Sequence, residues 1–224
     1  MAHEENKAFL RRVPLFSGLT EPQLENLAGG SARRSYPKGR TIVAEGEPSQ
    51  SMYIQLAGRA KVQRSDSEGK EVILAVLGAG EFFGEMSLID DAPRSASVIT
   101  LEPCEFMAVS KDAFKTMLVQ SPEVAMNVMR GIVRRLRDAD KKIETLALLD
   151  VYGRVARVLL DFSENVGGER IVKNKMPRQE IAKMIGASRE MVSRVMKGLE
   201  TDGYIVPLPE GRLQLREKLS SYIS

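Results

Sequence analysis

The spacing of glycine is the strongest constraint on what this chain can fold into. Gly39, Gly46, Gly58, Gly69, Gly78, Gly80 and Gly84 recur at intervals of roughly ten residues. No helix sustains a 3.6-residue apolar period through such a stretch, because each interior glycine costs about 1 kcal/mol relative to alanine. Between the glycines lie short β-prone runs at 41–44, 52–56, 60–63 and 72–77. Regular short strands with turn punctuation predict a sandwich or jelly-roll barrel over 31–109. Ahead of it, residues 8–27 read as a short helical lead-in broken by Pro14, Gly18 and Pro22.

The texture reverses after Ser121-Pro122, a pair suited to cap and open a helix. From there to about Leu149 no proline occurs and only Gly131 interrupts. Met129, Ile132, Leu136, Ala139, Ile143 and Leu146 are spaced 3, 4, 3, 4, 3, with polar residues such as Arg134, Arg135, Arg137 and Lys141 between them. That is a heptad seam, the pattern that supercoils two helices. A single amphipathic helix lying on its own barrel is the other reading. The seam of a homodimer is preferred, because a helix of this length would overhang the barrel.

Residues 150–224 read as a second, helical domain. Val151, Val155, Val158, Leu159 and Phe162 define one helix, stopped by Val166-Gly167-Gly168-Glu169, and a small hairpin is expected around Pro209-Glu210-Gly211. Between them Pro177 opens a helix with an apolar face of Ile181, Met184 and Ile185. Gly186 supplies a residue tolerant of positive φ for a tight turn, and Ser188 is a natural N-cap for the next helix. On that helix Val192, Val195, Met196 and Leu199 follow i, i+3, i+4, i+7 and face inward. Arg189, Glu190, Ser193, Arg194 and Lys197 then face outward, near the helix N-terminus, where a helix-turn-helix meets base edges. Arginine can pair bidentately with guanine and glutamate can accept from cytosine N4.

The charge distribution agrees. The net +3 arises wholly in the last third, and the window Arg170–Lys197 carries eight basic residues against two acids. Such a window suits double-stranded DNA. A hydrophobic content of 43% with 28% charged residues is ordinary for a globular chain. One Cys and one His, the latter at position 3, exclude a disulfide framework, a four-thiolate metal site and a His-based relay. With no nucleophile motif either, no enzyme is expected. No run is apolar enough for a transmembrane helix, and the polar N-terminus has no signal region. A cytoplasmic protein with no membrane partner is the expectation.

The segment 178–194, with Arg178-Gln179-Glu180-Ile181-Ala182, Gly186-Ala187-Ser188-Arg189-Glu190, Val192 and Arg194, resembles the helix-turn-helix of the cyclic-AMP receptor protein/fumarate-nitrate regulator (CRP/FNR) superfamily. So does 149–156, the helix entering the DNA-binding domain. The resemblance implies an α+β fold in three parts: a cyclic-nucleotide-binding β jelly roll (1–120), a dimerisation helix (121–149) and a winged helix-turn-helix (150–224). It implies that Arg189, Glu190 and Arg194 read TGTGA-type half-sites in a TGTGA-N6-TCACA-like palindrome, that Arg178, Gln179 and Ser188 contact phosphate, and that RNA polymerase is a partner. Met191 stands where the cyclic-AMP branch commonly has a small polar residue.

In the barrel, Gly84, Glu85, Met86 and Ser87, followed by Arg94 and Ser95, resemble the family's phosphate-binding cassette. Read as chemistry, Gly84 frees backbone N–H groups for an anion, Arg94 offers a charged fork, and Glu85 can accept a ribose hydroxyl. A plain Arg94–Glu85 ion pair with no ligand is the alternative. No prosthetic group is implied: only Cys104 is available for a cluster, and its neighbours Glu102 and Glu105 disfavour a thiolate. The family's adenine-contacting Thr-Ser pair falls on Ala139-Asp140. A carboxylate there suits guanine, whose N1–H and N2–H2 both donate, so cyclic di-GMP or cyclic GMP stands beside cyclic AMP as the effector; alternatively Asp140 pairs with Arg137, Lys141 or Lys142. The rival to effector control is a ligand-independent DNA-binding protein whose roll is only a dimerisation and partner-docking scaffold.

Overall fold

A computed structural model describes residues 2–223, with side chains from Glu4 onward, and divides into two compact units, Met1–Arg135 and Leu136–Ser224. In the first unit α1 (Ala2–Leu10) and α2 (Glu21–Gly29) flank a 3-10 turn at Pro14–Phe16. The lead-in therefore begins earlier than 8 and ends later than 27. Pro22 opens α2 rather than breaking it, because the first helical N–H groups have no partner to lose.

Eight strands follow: β1 (Ser31–Tyr36), β2 (Thr41–Val43), β3 (Ser51–Ala57), β4 (Ala60–Ser65), β5 (Glu71–Leu77), β6 (Phe82–Phe83), β7 (Ser97–Thr100) and β8 (Cys104–Ser110). They form two antiparallel sheets, β1-β8-β3-β6 and β2-β7-β4-β5. The turn glycines at 39, 46, 58, 69, 80 and 84 take positive φ. Alternation along β3 sorts its faces. Tyr53 points into the roll, where it stacks on Phe83 (5.2 Å between ring centroids), and Phe83 meets the edge of Phe106. Met52 and Ile54 point the other way, into a cluster with Leu10, Leu24, Phe114, Val124 and Val128. That second face is covered by α1, α2, α4 (Lys111–Gln120) and the start of α5 (Pro122–Leu148).

α5 (Pro122–Leu148) is one continuous helix, 27 residues and about 40 Å long. Ser121 caps it, its hydroxyl accepting from Val124 N. Val124 and Val128 are buried and Ile132 packs partly against the same cluster. Met126, Met129, Val133, Leu136, Ile143 and Leu146 remain exposed.

In the second unit α6 (Val151–Asp161) contributes Val155, Ala156 and Leu159 to a core shared with α7 (Arg178–Ile185) and α8 (Arg189–Thr201). The stretch read only as a helix stop is a hairpin of β9 (Glu164–Val166) and β10 (Glu169–Val172), turned by Gly167 and Gly168 at φ 62° and 89°. With β11 (Ile205–Pro207) and β12 (Leu213–Leu215) it makes a four-stranded sheet in the order β11-β12-β10-β9. The expected hairpin at 209–211 is present as the turn joining β11 to β12. A 3-10 helix (Glu217–Ile223) follows β12, with Tyr222 stacked on Tyr152. No helix among the described residues is long and apolar enough to cross a membrane.

Candidate functional site

Two groups of residues carry candidate recognition chemistry, one in each unit. In the first, β6 leads through Gly84 into α3 (Met86–Ile89), and β7 follows Arg94. Gly84 sits at φ 84°, and a Cβ there would overlap Arg94 Nη1. The positive φ favours glycine, and any side chain would also have to displace the Arg94 guanidinium. Arg94 is buried; its Nη1 donates to Gly84 O (3.0 Å) and its Nη2 to Ser51 O (2.5 Å). Of the five guanidinium donors, those two bonds leave three for an anion.

Glu85 is fully buried, but its partner is not Arg94. Arg135 of α5 donates from Nη1 to Glu85 Oε1 and from Nη2 to Phe82 O, while its guanidinium lies 4.7 Å from the centre of the Phe82 ring. Glu85 Oε2 has no hydrogen-bond partner. A buried carboxylate oxygen left unsatisfied costs about 1–3 kcal/mol, more when charged, unless something supplies a donor. Burial pushes the carboxyl above its ordinary 4.5, with Arg135 opposing as the next largest cause. The folded state therefore holds this proton where the unfolded chain has released it, and stability falls as pH rises from about 4.5 through the raised value. Titrated melting curves of Glu85→Gln should lack that loss; parallel curves for the two proteins would contradict it.

The remaining predicted cassette residues divide. Ser87 is buried, its hydroxyl donating to Pro93 O, whereas Met86 and Ser95 are exposed. Ala139 and Asp140 are exposed on α5 in the second unit, and among the described residues no ion pair joins Asp140 to Arg137 or Lys141. Arg135 was not singled out from the sequence. The usable signal was Gly131, the lone glycine of the long helix and four residues before it: a Cβ at 131 would come within 2.7 Å of the Phe82 ring. A helix glycine marks a close approach, and Arg135 lies one turn further along that face.

In the second unit the helix-turn-helix has the expected local chemistry. Gly186 ends α7 in the left-handed region at φ 65°, and Ser188 Oγ accepts from Met191 N (3.1 Å) at the start of α8. Val192, Val195, Met196 and Leu199 are buried. Arg189, Glu190, Arg194 and Lys197 are exposed and, among the described residues, none is held in an ion pair. Ser193 is exposed too, but its hydroxyl donates to Arg189 O (2.8 Å), leaving it an acceptor outward. Gln179 is exposed; Arg178 is half-buried, and burial lowers its pKa. Lys175, one of the cations of the 170–197 window, packs against Gly211, and Arg212 follows in the turn before β12. Arg212 lies outside that window, and only the fold brings the two segments together.

A β-roll with an anion-ready cassette, a long helix and a winged helix-turn-helix define a ligand-responsive DNA-binding regulator. Residues 33–121 match the family described as "Cyclic nucleotide-binding domain" and residues 153–221 the "Crp-like helix-turn-helix domain". The chain belongs to the CRP/FNR superfamily of transcriptional regulators. It is similar to the CRP-like cAMP-activated global transcriptional regulator of Mycobacterium tuberculosis, 32% identical over 200 residues that cover 88% of this chain and 89% of the relative. Identity with the cyclic AMP receptor protein of Thermus thermophilus is 35% over 208 residues, 93% of this chain and 94% of that one. Among solved structures, the c-di-GMP-responsive global regulator CLP of Xanthomonas campestris superposes with a TM-score of 0.75 at 28% identity, over 88% of this chain and 99% of that one. The chain is accordingly a CRP-like, cyclic-nucleotide-responsive, DNA-binding transcriptional regulator.

Proposed function

We propose that the chain acts as a homodimer whose roll takes a cyclic nucleotide through Gly84, Glu85, Met86, Ser87, Arg94 and Ser95, and whose α8 helices read a TGTGA-like palindrome. Sensor, dimerisation helix and DNA-binding domain would occupy 1–120, 121–149 and 150–224. The observation that carries the reading is the buried Glu85 carboxylate, one oxygen held by Arg135 of the long helix and the other without a partner. A ribose hydroxyl supplies the missing donor, and a cyclic phosphate fits the unused donors of Arg94. Because Arg135 belongs to α5, occupancy at Glu85 changes the electrostatics of the helix that continues into the second unit. A differential affinity of about 1–3 kcal/mol between two arrangements shifts DNA binding roughly 5- to 150-fold.

For the base, Asp140 favours guanine over adenine by its two acceptors, with Ala139 offering no hydroxyl. Asp140 is exposed and, among the described residues, in no ion pair, which leaves its carboxylate available. RNA polymerase is the downstream partner of the proposal. Calorimetric titration of the protein with cyclic AMP, cyclic GMP and cyclic di-GMP tests it. Arg94→Ala is expected to weaken the best of the three by roughly tenfold to a hundredfold, the worth of a hydrogen bond to a charged group. Asp140→Ala should narrow the gap between guanine and adenine ligands. The ligand-independent reading is favoured by one feature, the two backbone carbonyls that already engage Arg94. It requires that no nucleotide bind and that Arg94→Ala leave operator affinity unchanged.

A further inference from the structure

Only Leu149 and Asp150 separate α5 from α6, and both are committed. Asp150 caps α6 by accepting from Gly153 N (2.9 Å), and Gly153 has no room for a side chain, with Tyr222 O within 2.8 Å of where a Cβ would lie. Arg154, one residue on, reaches across this joint. Its Nε donates to Leu149 O (3.0 Å), its Nη2 to Leu146 O (3.2 Å) and its Nη1 to Ile185 O (3.4 Å). Leu146 is in the last turn of α5, and Ile185 is the last residue of α7, immediately before the Gly186 turn. Among the described residues no backbone N–H donates to any of these three oxygens, and Arg154 is in no ion pair.

We propose that Arg154 is a positioning residue that locks the helix-turn-helix to the end of the long helix. The physics is specific. The terminal carbonyls of a helix lack intrahelical donors and carry the negative end of its dipole. Two such ends, of α5 and α7, converge on one half-buried guanidinium whose planar fork can serve several acceptors at once. The cation is held by dipoles rather than by a carboxylate, so its direction is set by both helix ends together. Any shift of the α5 end carries the α7 end with it, and Ser188 at the start of α8 lies three residues beyond Ile185. A lysine would keep the charge but not the three-way reach.

The inference rests on the proposed reading of α8 as the operator-reading helix, and its test separates the two. Full-length wild type, Arg154→Lys and Arg154→Gln are compared on the TGTGA-N6-TCACA palindrome, on the same site with two base pairs inserted between half-sites, and on a single half-site. Measurements run without nucleotide and with cyclic AMP or cyclic di-GMP. The expected result is that half-site affinity stays within about threefold, while discrimination between the two spacings drops about tenfold in Arg154→Gln, the scale of losing charge-assisted hydrogen bonds. Arg154→Lys recovers part of it. Hydrogen exchange gives an operator-independent readout: amides at 146–150 and 185–188 should exchange faster together in Arg154→Gln, with α8 protection unchanged. Unchanged spacing discrimination, or equal losses on all three DNAs with a lower melting temperature, would overturn the assignment; so would faster exchange confined to one of the two segments, or spread over the whole unit. If wild type recognises no palindrome, the operator reading fails and the exchange experiment still decides the role of Arg154.

Discussion

Alanine at Arg189 should lower affinity for the proposed palindromic operator by about two to four orders of magnitude while leaving the melting temperature unchanged. The estimate follows from symmetry. One bidentate arginine–guanine contact discriminates by about 1–3 kcal/mol, and a two-fold dimer on a palindrome loses it twice. The side chain is exposed and in no ion pair among the described residues, so its removal breaks nothing inside the protein; surface substitutions of that kind stay within about 0.5 kcal/mol of neutral. Anisotropy titrations at one fixed salt concentration, on operator and on random duplex, separate base reading from phosphate attraction. An equal loss on both DNAs would mean that Arg189 touches only the backbone. Glu190→Ala should relax preference at the paired cytosine without steepening the salt dependence, since it removes no cation.

The second large effect concerns the exposed stripe of α5. Leu136→Glu with Ile143→Glu should convert the proposed dimer into a monomer at micromolar concentration and reduce affinity for the proposed palindrome by about three orders of magnitude or more, because only one half-site is then engaged. Leu136 and Ile143 are 60% and 64% exposed, so their own chain does not cover them. Burying each against a second copy would stabilise by about 1.5–3 kcal/mol, and an uncompensated carboxylate in that seam costs several more. Sedimentation velocity reads the association state, and circular dichroism checks that the protomer is intact. A double variant that remains dimeric would move the interface elsewhere. Ile132 is the internal control. It belongs to the same heptad series but packs partly on the first-unit core, so Ile132→Ala should lower protomer stability more than dimer affinity.

What was readable in advance follows the range of the interactions. The helix-turn-helix is legible because its determinants are local: Gly186, Ser188 and the inward set from Val192 to Leu199 lie within one short segment and each obeys a rule of turn, cap or period. The glycine-spaced strands were legible as strands, but not their pairing. β1 bonds β8, with Ser31 opposite Val109, and no local pattern announces a partner so far along the chain. The cassette shows the same limit at the scale of single side chains. Arg94 and Glu85 could be picked out, yet each has a different partner from the obvious one. Arg94 bonds two backbone carbonyls, which leave no trace in residue identity, and Glu85 bonds an arginine 50 residues away. Gly167 and Gly168 were read as punctuation, although a two-residue positive-φ turn is also how a hairpin closes.

Gly84 bears on how such a regulator can evolve. Its backbone angle strains any side chain, and a Cβ would displace the guanidinium lying against it, so a single missense change in its codon should disturb the proposed anion site. The recognition helix lies in the other compact unit and keeps its own core. On the proposed reading, one mutational step at Gly84 would weaken the signal and leave the DNA-binding unit with its own core.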